Sequence, residues 1–218
     1  LVALNVRNIK FINEIAKKIA ADDCVNKKLQ VVFVTDYNVS YAEKIVAGSD
    51  VSLQVSTAGL EASGTGNMKF MMNGAVTVAT LDGANVEIHR EVGDENIVLF
   101  GLRSDEVIAY QKNGSYSAAE VIRSDPRLQR LLRQLQEGYF GLAPQHEFDL
   151  IIKHLTEEND PYFTLKDFDA YVRAQERINT LYADRNAWNK MSVINTAASG
   201  VFSSDNTIRK YADEIWNV

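Results

Sequence analysis

Gly59-Leu-Glu-Ala-Ser-Gly-Thr-Gly-Asn-Met-Lys-Phe-Met-Met-Asn-Gly-Ala-Val-Thr-Val-Ala-Thr-Leu-Asp-Gly83 is the stretch from which the rest of the chain is read. It reads as a glycine-rich loop, then one short helix, then one buried strand. Within it, Glu61 to Lys69 sets an acid, two hydroxyls, two glycines and a lysine in nine positions. Gly64 and Gly66 leave the backbone free to bend and to come close to a ligand. A helix starting just after them, expected from about 67 to 73, aims several unpaired N–H groups at one point, which suits an anion. Asn73-Gly74 stops that helix. Lys69 falls in its first turn, and because helical side chains lean toward the N-terminus its amine reaches the same point.

Outward from this stretch, strands alternate with helices. Leu29-Gln-Val-Val-Phe-Val-Thr35 is a β-branched run with apolar residues on both faces, the pattern of a central parallel strand. Ser40-Tyr-Ala-Glu43 reads as a capping box opening a helix that Gly48 closes. Residues 51–55, 75–80 and 96–100 read as further strands, and 85–91 as a helical turn. This alternation predicts an α/β fold with a Rossmann-like, mostly parallel sheet and helices on both faces. Ligands of such sheets bind at the carboxyl ends of the strands. The turns expected there are 36–38, 56–66, 81–85 and 101–103. After Ser104 the strand signals stop. Ser104 and Ser117 look like N-caps, and helices are expected over about 126–137, 147–155, 165–183, 187–198 and 205–216. The expected organisation is a Rossmann-like part over 1–103 and a helical part over 104–218 packed on it. Val6, Ile9, Ile12, Ile15 and Ile19 already follow helical spacing behind Leu1, so a fragment of a longer protein is expected.

Composition narrows the function classes. At 218 residues, 46% apolar and 24% charged, the chain has the make-up of a globular protein with a substantial core. A net charge of −6 argues against nucleic acid or an anionic membrane as partner. A single cysteine, Cys24, excludes an internal disulfide framework and suits a reducing compartment, so the cytoplasm is expected. No apolar run approaches transmembrane length. His89, His146 and His154 lack metal-ligand spacing, and no metal is expected.

The glycine-rich stretch fails both common phosphate motifs when they are applied literally. Gly59 and Gly64 have Walker spacing, but Thr65 stands where the lysine belongs. The dinucleotide fingerprint needs a third glycine at 69, where Lys69 stands. A tight strand-to-helix turn with an exposed lysine is the alternative on local physics. Ser63, Thr65 and Lys69 together at a helix N-terminus favour a phosphate or a phosphate-bearing cofactor. Glu61 has no facing carboxylate spaced to suggest a two-carboxylate hydrolase. Asp82 and Asn85 fit a ligand contact and simple turn formation equally well.

The segment Glu61 to Phe70, continuing through Asn73-Gly-Ala and Thr80-Leu-Asp-Gly-Ala-Asn-Val-Glu87, resembles the pyridoxal-phosphate segment of the glycogen/maltodextrin (α-glucan) phosphorylases. Asp36-Tyr-Asn-Val-Ser-Tyr-Ala-Glu-Lys44, Gln54-Val-Ser-Thr-Ala-Gly59, Trp188-Asn-Lys-Met-Ser192 and Ala198-Ser-Gly-Val-Phe-Ser-Ser-Asp205 extend the similarity along nearly the whole chain. The resemblance implies part of the C-terminal half of a two-domain GT-B glycosyltransferase fold. It also implies transfer of glucose from the non-reducing end of an α-1,4-glucan to phosphate, with retained configuration. By residue match, Lys69 holds pyridoxal phosphate as a Schiff base, and the cofactor's 5′-phosphate exchanges a proton with the substrate phosphate. Gly64, Thr65 and Gly66 match residues that bind the cofactor phosphate. Glu61 and Ser63, with the Gly64 backbone, match residues that hold the glucose hydroxyls, while Tyr37 and Asn38 match a turn near the cofactor. On this basis Lys69 and Thr65 are the expected catalytic positions. The resemblance further implies a homodimeric complete enzyme with its opposing wall outside this stretch. The isolated chain is therefore expected to hold the cofactor weakly or not at all, and to be inactive.

Three other readings stay open at this point. An aminotransferase-type enzyme would use the cofactor ring as an electron sink and needs an acid partner for the pyridine nitrogen. A nucleotide-sugar glycosyltransferase of similar build would carry no covalent cofactor. A folded binding or assembly fragment would catalyse nothing.

Overall fold

Val51–Gln54, Val76–Ala79 and Val98–Leu99 form strands β1, β2 and β3 of one sheet in the order β1-β2-β3, with both pairings parallel. Val51 pairs with Val76 and Gln54 with Ala79, while Val78 pairs with Val98. Parallel neighbours need a crossover, usually helical. Here helix α3, Gly66–Met72, joins β1 to β2, and α4, Asn85–Val92, joins β2 to β3. β2 lies in the middle with all four residues buried, as its β-branched Val76, Thr77 and Val78 allow.

The computed structural model describes residues 2–140 and 146–217. Before β1 come α1, Val2–Ala20, and α2, Val39–Ala47. After β3 the regular elements among the described residues are helices: α5 Ser104–Asn113, α6 Ala118–Ser124, α7 Pro126–Gln136, α8 Asp149–Leu155, α9 Thr164–Ala183, α10 Arg185–Ala198 and α11 Ser204–Tyr211. The chain divides into two compact units, one of residues 1–37 with 115–166 and the other of 38–114 with 167–218. The boundary expected near 103–104 falls inside the second unit.

The first unit is helical, with a core of Leu132, Leu135, Phe148, Ile151 and Ile152. The second unit holds the sheet. Val76, Val78 and Val98 pack against Ala174 and Ile178 of α9 and Trp188 and Met191 of α10. A separate cluster joins Met71 of α3 to Ile88 and Val92 of α4 and to Ile97. Met71 and Ile88 are fully buried, each worth about 2–3 kcal/mol in transfer free energy, which seats α3 firmly beside β2.

The fold class is as expected: α/β with a parallel sheet. One element differs. Residues 29–34 are not a strand, and Leu29 and Val32 are exposed, Val32 to 77%. A strand is defined by ladder hydrogen bonds to a neighbour, and among the described residues this run pairs with no strand. Its β-branched composition reports a preference for a pleated surface that is not offered here. The 36–38 turn therefore does not follow a strand. The start of α2 differs by two residues: Asn38, not Ser40, is the N-cap, its side-chain oxygen accepting from the Tyr41 N–H at 3.1 Å. α5 begins at Ser104 itself, with the Arg103 N–H donating to the Glu106 carboxylate at 2.8 Å.

Candidate functional site

Because β1 and β2 are parallel neighbours, their carboxyl ends lie at the same edge of the sheet. The loop leaving β1, residues 55–65, therefore meets the loop leaving β2, residues 80–84, in the second unit. Each loop then enters a helix, α3 and α4 respectively. Most of the chemistry-bearing residues singled out from the sequence are in the first of these loops.

Backbone geometry in the loop follows from its glycines. Gly64 has a φ of +82°, where a side chain is strained, and a Cβ there would meet only the Asn67 side chain, 3.4 Å away at its nearest. Gly66, the first residue of α3, has nothing within 4 Å of where its Cβ would be, so the backbone is open to close approach. Thr65 is the N-cap of α3 but makes no side-chain capping hydrogen bond. Lys69 is the fourth residue of α3; its backbone N–H closes the first helical turn on the Thr65 carbonyl at 3.2 Å. Thr65 and Lys69 are both exposed, as are Glu61 and Ser63. The structure thus brings Glu61, Ser63, Gly64, Thr65, Gly66 and Lys69 together on one loop and the start of one helix.

Asn38 also lies in the second unit, with its side-chain oxygen engaged in capping α2. Tyr37 ends the first of the two segments that make up the first unit and is exposed.

By sequence, Asp82 and Asn85 in the second loop suit a ligand contact and simple turn formation equally. In the structure that loop braces the first. The Asp82 carboxylate, 4% exposed, accepts the Gly59 N–H at 2.8 Å and the Glu61 N–H at 3.0 Å. The Thr80 hydroxyl donates to the Ser56 carbonyl at 2.8 Å, and the Ala84 N–H donates to the Ser63 carbonyl at 2.6 Å. Asn67, buried in the first turn of α3, donates through its side-chain amide to Asn85 at 2.9 Å, and Asn85 donates in turn to the Thr80 carbonyl. Buried polar groups of this kind are stable only when each is satisfied, and these satisfy one another across the two loops. Gly83 is where the loops touch: its φ is +51°, and a Cβ there would stand 2.5 Å from the Ser63 carbonyl oxygen and 3.0 Å from Glu61 Cγ. The hint available in sequence was the clustering of Thr80, Asp82, Gly83 and Asn85 directly after a buried strand.

Burial pushes the Asp82 carboxyl up, but hydrogen bonds from the Ser56 hydroxyl and from the Gly59, Glu61 and Gly83 N–H groups outweigh it. The group is held below its ordinary value. His89, His146 and His154 each pair with a nearby carboxylate (Asp94, Asp149 and Glu158 respectively). Among the described residues no group of three His, Cys, Asp or Glu side chains is arranged to hold a metal ion. Nor is any described helix long and apolar enough to cross a membrane.

Comparison with known proteins adds an independent line. A family model described as carbohydrate phosphorylase matches residues 3–218. Glycogen phosphorylase of Bacillus subtilis (strain 168) is 50% identical over 210 residues, 96% of this chain and 26% of the relative. The liver form of glycogen phosphorylase from Homo sapiens is 47% identical and glycogen phosphorylase of Chlamydia pneumoniae is 42% identical, each over 96% of this chain and 25% of the relative. The chain spans about a quarter of the length of the curated relatives it matches.

Proposed function

The chain belongs to the carbohydrate phosphorylase family, and on that premise we propose that it forms part of the active site of an α-glucan phosphorylase. The reaction is transfer of glucose from the non-reducing end of an α-1,4-glucan to phosphate, giving glucose 1-phosphate with retained configuration. The observation that carries this reading is the convergence of Glu61, Ser63, Gly64, Thr65, Gly66 and Lys69 at the carboxyl end of the sheet in a chain of this family.

The cofactor implied is pyridoxal phosphate, and the residues present fit it. The Gly66 backbone is open, a Cβ at Gly64 would meet the Asn67 side chain at 3.4 Å, and the Thr65 hydroxyl makes no capping bond; the Gly66 and Asn67 N–H groups would serve as anion donors, the Met68 N–H being taken by the Asn67 side-chain oxygen at 2.9 Å. Lys69, three residues beyond Gly66, would be the covalent attachment point, since helical side chains lean back toward the helix N-terminus. When bound, the cofactor supplies through its 5′-phosphate a proton-exchanging group beside the substrate phosphate. Gly64, Thr65 and Gly66 hold that phosphate, and α3, anchored by Met71, keeps them in register with Lys69. Glu61 and Ser63, on the outer edge of the same loop, accept and donate hydrogen bonds to the glucose hydroxyls. Tyr37 and Asn38 are assigned to the cofactor's surroundings, Asn38 with its side-chain oxygen already engaged at α2.

Glu61, Ser63, Thr65, Gly66 and Lys69 are exposed in the chain, whereas glycosyl transfer to phosphate requires exclusion of water. A second wall is therefore part of the proposal, supplied within a protein of the relatives' length. The native assembly is assigned as a homodimer in the cytoplasm. The test is a chimera in which this chain replaces the matching quarter of the Bacillus subtilis glycogen phosphorylase. It should release glucose 1-phosphate from glycogen and phosphate, whereas the isolated chain should not. Undiminished release after Lys69→Ala in the chimera would overturn the reading.

A further inference from the structure

We propose that Asp82 is a positioning residue of this site: its carboxylate clamps the backbone on both sides of Leu60 and so sets the direction in which Glu61 and Ser63 face the sugar. The proposal rests on the reading of Glu61 and Ser63 as the sugar-facing edge. An aspartate that merely forms a turn bonds to its own backbone a residue or two ahead. The two bonds of Asp82 to the loop reach back 23 and 21 residues instead, one from each carboxylate oxygen, to Gly59 and Glu61. The Ser56 hydroxyl and the Gly83 N–H add to them. A charged acceptor with several N–H donors makes stronger bonds than neutral pairs. A neutral amide at 82 offers one acceptor oxygen and turns an N–H₂ group toward one of the two donors.

The clamp acts on the residues that matter. Glu61 is held by its N–H on Asp82, and Ser63 by its carbonyl on the Ala84 N–H, so the short segment between them is fixed at both ends. Inside it, the Glu61 carboxylate accepts the Ser63 N–H at 3.3 Å. Gly83 closes the remaining space, since any Cβ there would collide with Ser63. Exposed side chains on a free loop sample many directions; on this one the backbone beneath them is pinned.

The experiment has two parts. In the ¹⁵N-labelled 218-residue chain, amide exchange is followed at Gly59 and Glu61, with Val78 in the middle strand as the reference for intact fold. Asp82→Asn should speed exchange at Gly59 and Glu61 by about tenfold or more while leaving Val78 within about twofold. Unchanged protection at both loop amides would overturn the clamp. Should the variant unfold, the wild-type chain still decides: the Gly59 and Glu61 amide shifts should move together through one acidic midpoint, and their failure to titrate would overturn it equally. In the chimera described above, Asp82→Asn should raise KM for glucose 1-phosphate about tenfold or more, with the cofactor still bound at Lys69 by its absorbance. A KM unchanged in a protein whose loop amides have been freed would overturn the positioning role. An inactive wild-type chimera would count against the phosphorylase reading alone, and the amide results would still decide the clamp.

Discussion

Replacing Gly83 with alanine tests whether the two loops are packed as described. A methyl group at this position meets the Ser63 carbonyl oxygen at 2.5 Å and Glu61 Cγ at 3.0 Å, and the φ of +51° adds a conformational cost of its own. The Ser63 carbonyl cannot retreat freely, because it accepts the Ala84 N–H at 2.6 Å. Gly114 provides the control. It has a φ of +63° at the end of α5, in the same unit, and nothing lies within 4 Å of its Cβ position. Gly114→Ala should therefore cost only the left-handed conformation, about 1 kcal/mol. Gly83→Ala should cost that plus the collision, about 2–4 kcal/mol in all. Urea unfolding followed by tryptophan fluorescence is a suitable assay, since Trp188 is 3% exposed in the core of the second unit. Equal losses for the two variants would mean that the 59–63 loop does not rest on Gly83, and the bracing of the site would have to be abandoned.

Other expectations follow from the same contacts. Met71→Ala should destabilise the second unit by about 2–5 kcal/mol, since Met71 is fully buried and anchors α3; a loss under about 1 kcal/mol in the same unfolding assay would refute that anchoring. Val32→Lys should change stability by no more than about 0.5 kcal/mol, because Val32 is 77% exposed; a large loss would argue for the strand expected from its sequence. The Asp82 carboxyl is depressed below its ordinary value of 3.8 in the folded state, so it contributes stability above that value. Its contribution is lost as pH falls from about 3.8 through the lower folded value, where the unfolded chain binds the proton first. Stability measured against pH should show this acid-side loss in the wild type, and the loss should be smaller in Asp82→Asn.

The architecture was legible where the pattern was local and self-sufficient. Val76, Thr77 and Val78 announce a buried strand, and the loop from Gly64 into the helix bearing Lys69 announces a backbone open to a ligand. Both readings depend on residues close together in the chain. Residues 29–35 misled because a strand is a property of two segments, and the composition of one says nothing of whether a partner lies beside it. Asp82 was ambiguous for a different reason. The same carboxylate that closes a turn can hold a ligand or brace a distant backbone, and only the 23-residue reach to Gly59 separates the three. Asn38 shows the same limit on a small scale: as N-cap of α2, its engagement could not be read against the competing Ser40-x-x-Glu43 pattern.

In the function proposed above, Lys69 carries pyridoxal phosphate beside a phosphate cradle made by Gly64, Thr65 and Gly66. The most direct measurement is borohydride reduction of the cofactor-loaded chimera, followed by proteolysis and mapping of the pyridoxyl-labelled peptide. A single label, on Lys69, is the expected result. Label on another lysine, or an active chimera with no label on Lys69, would contradict it.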